Sequence, residues 1–243
     1  MDGPVGTHPM NPRNTIPARR KPPGDGEKGG EDFTAPLGSA TSGRLRFTKG
    51  AHRVAVRADS DVRGLYLARF GDRMPTVGVR GGLVTIRYPR FQAPDWLNYR
   101  SEHPAEVALN VRIPWDIDVR GGASRFVADL SGLRLGSLSL DGGTSNIDML
   151  LPTPSGNVAV VILGGASNVA ISRPEGVAAR LRLHGGATNL TFDDRRIGAT
   201  GGELDLRSRD YEDAVDRYDI AVTGGANNIS IEKVARRQRR SGP

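Results

Sequence analysis

A nine-residue pattern opening on paired glycines recurs along the chain, and it constrains the fold more than any other feature. GGASRFVAD from Gly121, GGTSNIDML from Gly142, GGASNVAIS from Gly164, GGATNLTFD from Gly185 and GGANNISIE from Gly224 align without gaps, at offsets of 21, 22, 21 and 39 residues. A further pair at Gly81 precedes Gly121 by 40 residues. Both long offsets approach two periods, so each holds either a missing copy or one rung with a long insertion. Gly201-Gly202, followed by Glu203-Leu204-Asp205-Leu206, reads as a degenerate copy inside the second gap.

The aligned columns carry the physics. Two positions before the first glycine stand Val119, Leu140, Ile162, Leu183 and Val222; four before it stand Ile117, Leu138, Val160, Leu181 and Ile220. The sixth motif position reads Phe126, Ile147, Val169, Leu190 and Ile229, and the eighth Ala128, Met149, Ile171, Phe192 and Ile231. Apolar residues spaced by two mark strands with one buried face. Each repeat is therefore strand, glycine corner, strand, then a second turn such as Arg173-Pro174-Glu175-Gly176.

Glycine supplies positive φ and close backbone approach, which stacked corners require. The fifth position is Arg125, Asn146, Asn168, Asn189 and Asn228. Stacking would place the amides of Asn146, Asn168, Asn189 and Asn228 above one another as a hydrogen-bonded structural ladder. The fourth position (Ser124, Ser145, Ser167, Thr188, Asn227) is small and polar throughout.

A unit of about 21 residues cannot bury its apolar face alone, and stacking solves this. The expected fold is all-β, a β-solenoid of about 21-residue rungs with parallel strands between rungs and right-handed winding. The competing architecture is a β-sandwich of GG hairpins, which would not demand the same residue in one column of successive repeats.

The stretches PWDIDVRGGASRFVADLSGLRLGSLSLDGGTSNIDMLLP, GVAARLRLHGGATNLTFDDRRIGATGG and DRYDIAVTGGANNISIE resemble the GG-A-S β-strand repeats of actinobacterial proteins. These are similar to the putative-adhesin / LiaF-like cell-envelope β-solenoid group. The resemblance spans about residues 105–232. It implies a β-solenoid, with many relatives tied to membranes or signalling modules, and it supplies no catalytic residues.

Charge and composition divide the chain. Residues 1–43 hold seven Pro and eight Gly, five basic and five acidic side chains, and few apolar groups. This composition predicts a disordered tail. Residues 44–232 read as the solenoid, with 44–104 as less regular first rungs or a cap, 105–232 as regular repeats, and an insertion near 194–219. Within that insertion, residues 207–219 read as a charged loop or short helix. Residues 233–243 carry five of the cations behind the net charge of +7 and read as a basic disordered tail.

Chemistry is sparse. Cysteine is absent, which excludes disulfides and thiolate metal sites. The GxGxxG at Gly24, Gly26 and Gly29 has no preceding strand. Asp116, Asp118, Asp129, Asp148, Asp193 and Asp194 fall in different columns and read as solvated surface, and His184 as an exposed residue. No catalytic, metal or cofactor site is expected. The sequons at Asn189 and Asn228 belong to the repeat itself.

The reading is a non-enzymatic scaffold that binds a protein partner or itself, through its face or end to end. The alternative is binding to nucleic acid or an anionic membrane surface through Lys233, Arg236, Arg237, Arg239 and Arg240. A polysaccharide-active β-helix is the third. Trp96, Tyr99 and Arg100, near Tyr88, Arg87, Arg90 and Trp115, form a candidate partner platform, with a hydrophobic cap as the competing reading. With no apolar signal core or membrane span, a cytoplasmic location is expected, membrane association coming only through a partner.

Overall fold

The computed structural model describes residues 16–17, 19–21, 32–71, 74–89 and 104–235. Its strands are β1 (Ile16–Pro17), β2 (Arg19–Lys21), β3 (Asp32–Ala35), β4 (Gly43–Thr48), β5 (Ala51–Asp59), β6 (Tyr66–Arg69), β7 (Thr76–Arg80), β8 (Leu83–Arg87), β9 (Ala105–Asn110) and β10 (Pro114–Arg120). There follow β11 (Ala123–Asp129), β12 (Arg134–Asp141), β13 (Thr144–Leu150), β14 (Asn157–Leu163), β15 (Ala166–Pro174) and β16 (Ala178–His184). The last are β17 (Ala187–Phe192), β18 (Arg195–Thr200), β19 (Glu203–Arg207), β20 (Arg217–Thr223) and β21 (Ala226–Val234). No helix occurs among the described residues.

The strands form two sheets. The first has the order β1-β7-β8-β4-β10-β12-β14-β20-β16-β19, the second β18-β17-β21-β15-β13-β11-β5-β9-β6-β3-β2. Strands before each corner join the first sheet and strands after it join the second. Each pairs in parallel with its counterpart in the next rung, as Ile117 with Leu138 and Phe126 with Ile147. This is a solenoid-like stack and excludes a sandwich of GG hairpins. The columns read from sequence line the core: Leu140, Ile162, Val222 and Leu183 from one sheet, and Ile147, Val169, Ile229 and Leu190 from the other, are all buried.

The corners explain their composition. At five of the corners a small residue after the second glycine is buried and donates its N–H across to the next rung. Ala51 N reaches Gly122 O at 3.0 Å, Ala123 N reaches Gly143 O at 3.1 Å, and Thr144 N reaches Gly165 O at 2.8 Å. The series continues from Ala166 N to Gly225 O and from Ala226 N to Gly186 O, both at 2.9 Å. The fifth motif position is left-handed in every copy: Arg125, Asn146, Asn168, Asn189 and Asn228 have φ between 51° and 55°. Asparagine tolerates that region better than other L-residues with side chains, because its short amide bonds locally.

That series also corrects the order of the stack. The rung of β20 and β21, last in sequence, stands between the rung of β14 and β15 and that of β16 and β17. Sequential stacking therefore holds from Gly121 to Gly164 and then breaks. The amide ladder follows space: Asn168 Nδ2 donates to Asn146 Oδ1 at 3.2 Å and Asn228 Nδ2 to Asn168 Oδ1 at 2.8 Å. Asn189, expected third in that ladder, shares the backbone conformation at its outer end but makes no amide bond within it. There Thr188 Oγ1 donates to Asn227 Oδ1 at 2.8 Å.

Both long offsets resolve. The copy missing before Gly121 is Lys49-Gly50-Ala51, whose strand β5 pairs with β11 and places Arg53 opposite Arg125, both left-handed. Gly81-Gly82 instead turns the antiparallel hairpin β7–β8. Gly201-Gly202 turns a rung traversed backwards, with β18 antiparallel to β17 and β19 antiparallel to β16. Residues 208–216 form turns, not a helix.

The folded body also begins earlier than composition suggests. β3 pairs with β6, Phe33 and Ala35 are buried, and the Phe33 ring meets Phe70 edge-on at 5.2 Å. A four-residue alternation is masked by the surrounding Pro and Gly. Likewise β21 extends through Val234, past the expected start of the basic tail.

Gly142 and Gly143 test the corner. A Cβ on Gly142, at φ 105°, would lie 2.5 Å from Gly122 N, whereas one on Gly143 meets nothing within 4 Å. Gly142→Ala is expected to cost about 1–3 kcal/mol or more of stability, and Gly143→Ala less than about 1 kcal/mol, read from denaturant midpoints of the two variants.

Candidate functional site

The first sheet's outward face is a charge lattice. Strand β10 places Asp116 and Asp118 beside Arg44 and Arg46 of β4, since parallel register sets Asp116 against Arg44 and Asp118 against Arg46. Arg46 Nε donates to Asp118 Oδ2 at 2.8 Å, Arg120 Nε to the same oxygen at 3.0 Å, and Arg44 Nη2 to Asp116 Oδ2 at 3.0 Å. At the other end Arg182 Nη2 donates to Asp219 Oδ2 at 2.8 Å. Arg180 Nε and Arg207 Nη2 each donate to Asp205 at 3.0 Å. Arg207 also pairs with Glu212.

These contacts set the titration. Burial raises the Asp118 carboxyl, but hydrogen bonds from Arg120 and Arg46 outweigh it and hold the group below the ordinary carboxylate range. Hydrogen bonds from Arg180 and Arg207 hold Asp205 well below that range.

Between the two charged ends the face changes character. One row across the sheet reads Arg46, Asp118, Ser139, Val161, Ala221, Arg182, Asp205. The next reads Thr48, Arg120, Asp141, Leu163, Thr223, His184, Glu203. Leu163 is among the most exposed large hydrophobics, at 39%. The centre of the face is thus a small, weakly polar patch centred on β14, around Ser139, Val161, Leu163, Ala221 and Thr223, with Asp141 at its edge and arginine–aspartate pairs beyond it.

A second feature lies at the far turns of the rungs. Arg173 is fully buried, in the inward column that follows Val169 and Ile171 on β15. Its Nη1 and Nη2 donate to Asp193 Oδ1 and Oδ2, each at 2.8 Å, its Nε donates to Val177 O at 3.0 Å, and its guanidinium lies 5.8 Å from the Phe192 ring centre. Asp193 follows β17, two strands from β15, so the pair spans the inserted β21. Lys233 Nζ of β21 approaches Asp193 Oδ2 at 3.6 Å.

Several expectations change accordingly. Asp193 is not solvated surface but half of a clasp, and Asp118 is mostly covered. Lys233 already faces a carboxylate, while Arg236, Arg237, Arg239 and Arg240 lie outside the described residues. The platform residues Trp96, Tyr99 and Arg100 also lie outside them. Their expected neighbour Trp115 is a core residue, its indole N–H donating to Asn110 O at 2.9 Å and its ring packed on Gly43. His184 is exposed, with Nδ1 3.2 Å from Glu203 Oε1. Among the described residues no three His, Asp or Glu side chains converge as metal ligands, and no helix is long and apolar enough to cross a membrane. Sequence reasoning misses Arg173 because its segment reads as a turn; the signal is its position two residues past Ile171 in an otherwise apolar column.

Comparison with known proteins supports this architecture. Residues 79–172 match the family described as the N-terminal domain of toast_rack, DUF2154. The match ends before the chain departs from sequential stacking. A solved structure, a putative cell adhesion protein from Clostridium sporogenes, is similar in fold: TM-score 0.61, 16% identity, covering 84% of this chain and 98% of that one. No curated protein matches the chain.

Two outcomes test the site. Asp193→Asn alone removes the charge opposite a buried guanidinium and is expected to cost about 3–5 kcal/mol; the R173M/D193N pair should lose less than the single variant, measured by chemical unfolding. The depressed carboxyls of Asp118 and Asp205 contribute stability above their unfolded value of about 3.9, and lose it as pH falls through their lower folded values. The thermal midpoint should therefore drop below about pH 4, less steeply in D118N/D205N and less in high salt, which screens exposed pairs.

Proposed function

We propose that this protein is a non-enzymatic interaction scaffold and that its partner-facing surface is the central strip of the first sheet, around Ser139, Val161, Leu163 and Ala221. One observation carries the reading: a face otherwise lined by arginine–aspartate pairs leaves its middle weakly polar, with Leu163 exposed. Rigid, weakly polar strips framed by charge suit protein partners, the apolar centre excluding water and the charged rim setting register. On this face Asp116, Asp118, Asp205 and Asp219 are each tied to an arginine.

The fold likeness to a putative cell adhesion protein agrees with a binding role. The basic C-terminal segment is secondary in this reading, since Lys233 is already engaged by Asp193.

The test is photocrosslinking in the native host from a residue placed at Val161, with a control at Ser230 on the opposite sheet. A discrete adduct at Val161, lost in Leu163→Lys and absent at Ser230, is the expected result. Equal labelling at both positions, or none at Val161, rejects the strip as the interface. Turnover of a glycan by the purified chain, lost on a single acid substitution, rejects the scaffold role itself.

A further inference from the structure

The strand order points to an interaction that is independent of the strip. β20 and β21 are last in the chain, yet they fill a gap between rungs built from earlier sequence. Without them, β14 and β16 in one sheet and β15 and β17 in the other would face each other across one strand's width, presenting parallel edges with unpaired backbone groups. That gap is highly selective. A filling rung must bring glycine to the corner, because a Cβ on Gly224 would lie 2.9 Å from Gly164, and one on Gly185 would lie 2.5 Å from Gly224. It must bring a left-handed residue at the fifth position, and Asn228 there also continues the amide ladder onto Asn168. It must also accept the Arg173–Asp193 clasp closing over it, with Lys233 beside the carboxylate.

The connection to this rung crosses β16. It leaves β19 at Arg207 and enters β20 at Arg217, nine residues, 208–216, lying between. It is tied down mainly at its ends: Ser208 N donates to Ala179 O at 2.9 Å and Ala179 N to Ser208 Oγ at 2.8 Å, Gly156 N donates to Asp216 Oδ1 at 2.6 Å, and Arg217 Nη1 donates to Tyr211 O at 3.0 Å beside the buried Tyr211 ring, while Val215 is 80% exposed. Extended, nine residues reach about 30 Å, far enough to enter a neighbouring molecule.

We infer that the gap between β14–β15 and β16–β17 accepts the β20–β21 rung of a second copy of this chain, giving a dimer by reciprocal exchange of residues 217–234. Every contact inside the stack is preserved in that dimer, and only the crossing segment changes conformation, the condition under which exchange is cheap. The corner requirements, the register with β14 to β17 and the Arg173–Asp193 clasp identify a second copy as the occupant: a foreign strand would have to reproduce all of them.

The absence of cysteine makes the test direct. Ala170 of β15 and Ser230 of β21 are register partners. Full-length A170C and S230C are mixed, brought to the unfolding midpoint so that slow opening cannot hide exchange, cooled at high concentration and oxidised. The expected result is a disulfide-linked species of twice the chain mass, whose share rises with concentration. The same protocol with A55C in place of A170C, on β5 several rungs away, should give none. A second variant deletes Arg209–Val215, leaving two linker residues. They span at most about 10 Å, too little to pass round β16 within one chain. Light scattering should show its dimer share raised at least tenfold over the parent at equal concentration. No disulfide between the A170C and S230C chains after refolding, or a shortened chain that is a folded monomer, overturns the inference. If the shortened chain does not fold, the mixing result alone decides.

Discussion

Backbone approaches backbone at the corners of this molecule, and the rest of the stack follows from that contact. A corner hydrogen bond such as Thr144 N to Gly165 O at 2.8 Å holds adjacent rungs in one register. With that register set, strands on both sides of the corner fall into parallel ladders, and columns of Leu, Ile and Val meet in the core. Side chains at the first glycine would push rungs apart: a Cβ on Gly164 would lie 3.1 Å from the Gly142 carbonyl carbon. The left-handed residue three positions after the second glycine completes the corner, and its side chain is used again in the amide ladder. Conformational need and cross-rung bonding thus select asparagine together.

The same corner tolerates departures where other contacts take over. Lys49 holds φ 68° where later copies have glycine, and Arg53 and Arg125 hold 52° and 51° where they have asparagine. These substitutions cluster in the first rungs, where the Phe47 ring meets Phe126 edge-on at 6.3 Å and adds packing the other corners lack. Local strain of this kind is sustained only when the surroundings over-determine the backbone.

Much of this was legible in the sequence because the repeat has period two on both sides of a recurring glycine pair. The core columns, the two-strand rung and the amide column all follow from it. What escaped has a common physical reason: spatial neighbours need not be sequence neighbours. An alignment of Gly164, Gly185 and Gly224 cannot say which rung lies between which, since all three corners are interchangeable in shape. The first copy escaped because Lys49 broke the glycine pair, although Gly50-Ala51 and the apolar Val54 and Val56 were intact. The clasp escaped because a lone arginine near a proline reads as a turn until the strand is seen to run on through Pro174. The charged rim and its weakly polar centre were beyond reach, because they depend on the register of β10, β12, β14, β20 and β16 side by side.

The reversed rung gives the stack a direction. Parallel rungs alone would end in an edge ready to accept another rung and so to grow without limit. At the β16–β17 end the chain instead folds back: β18 and β19 run antiparallel, and β19 turns Glu203, Asp205 and Arg207 outward. A further parallel rung would there meet an opposed backbone and a row of charges already paired with Arg180 and Glu212. Growth at that end is therefore opposed by the paired charges along β19. The rung that completes the stack enters through the gap behind this cover, after the cover's own strands in sequence. The exchange inferred for β20 and β21 uses that interior gap and so needs no open end, while the proposed partner surface lies on the face beside it.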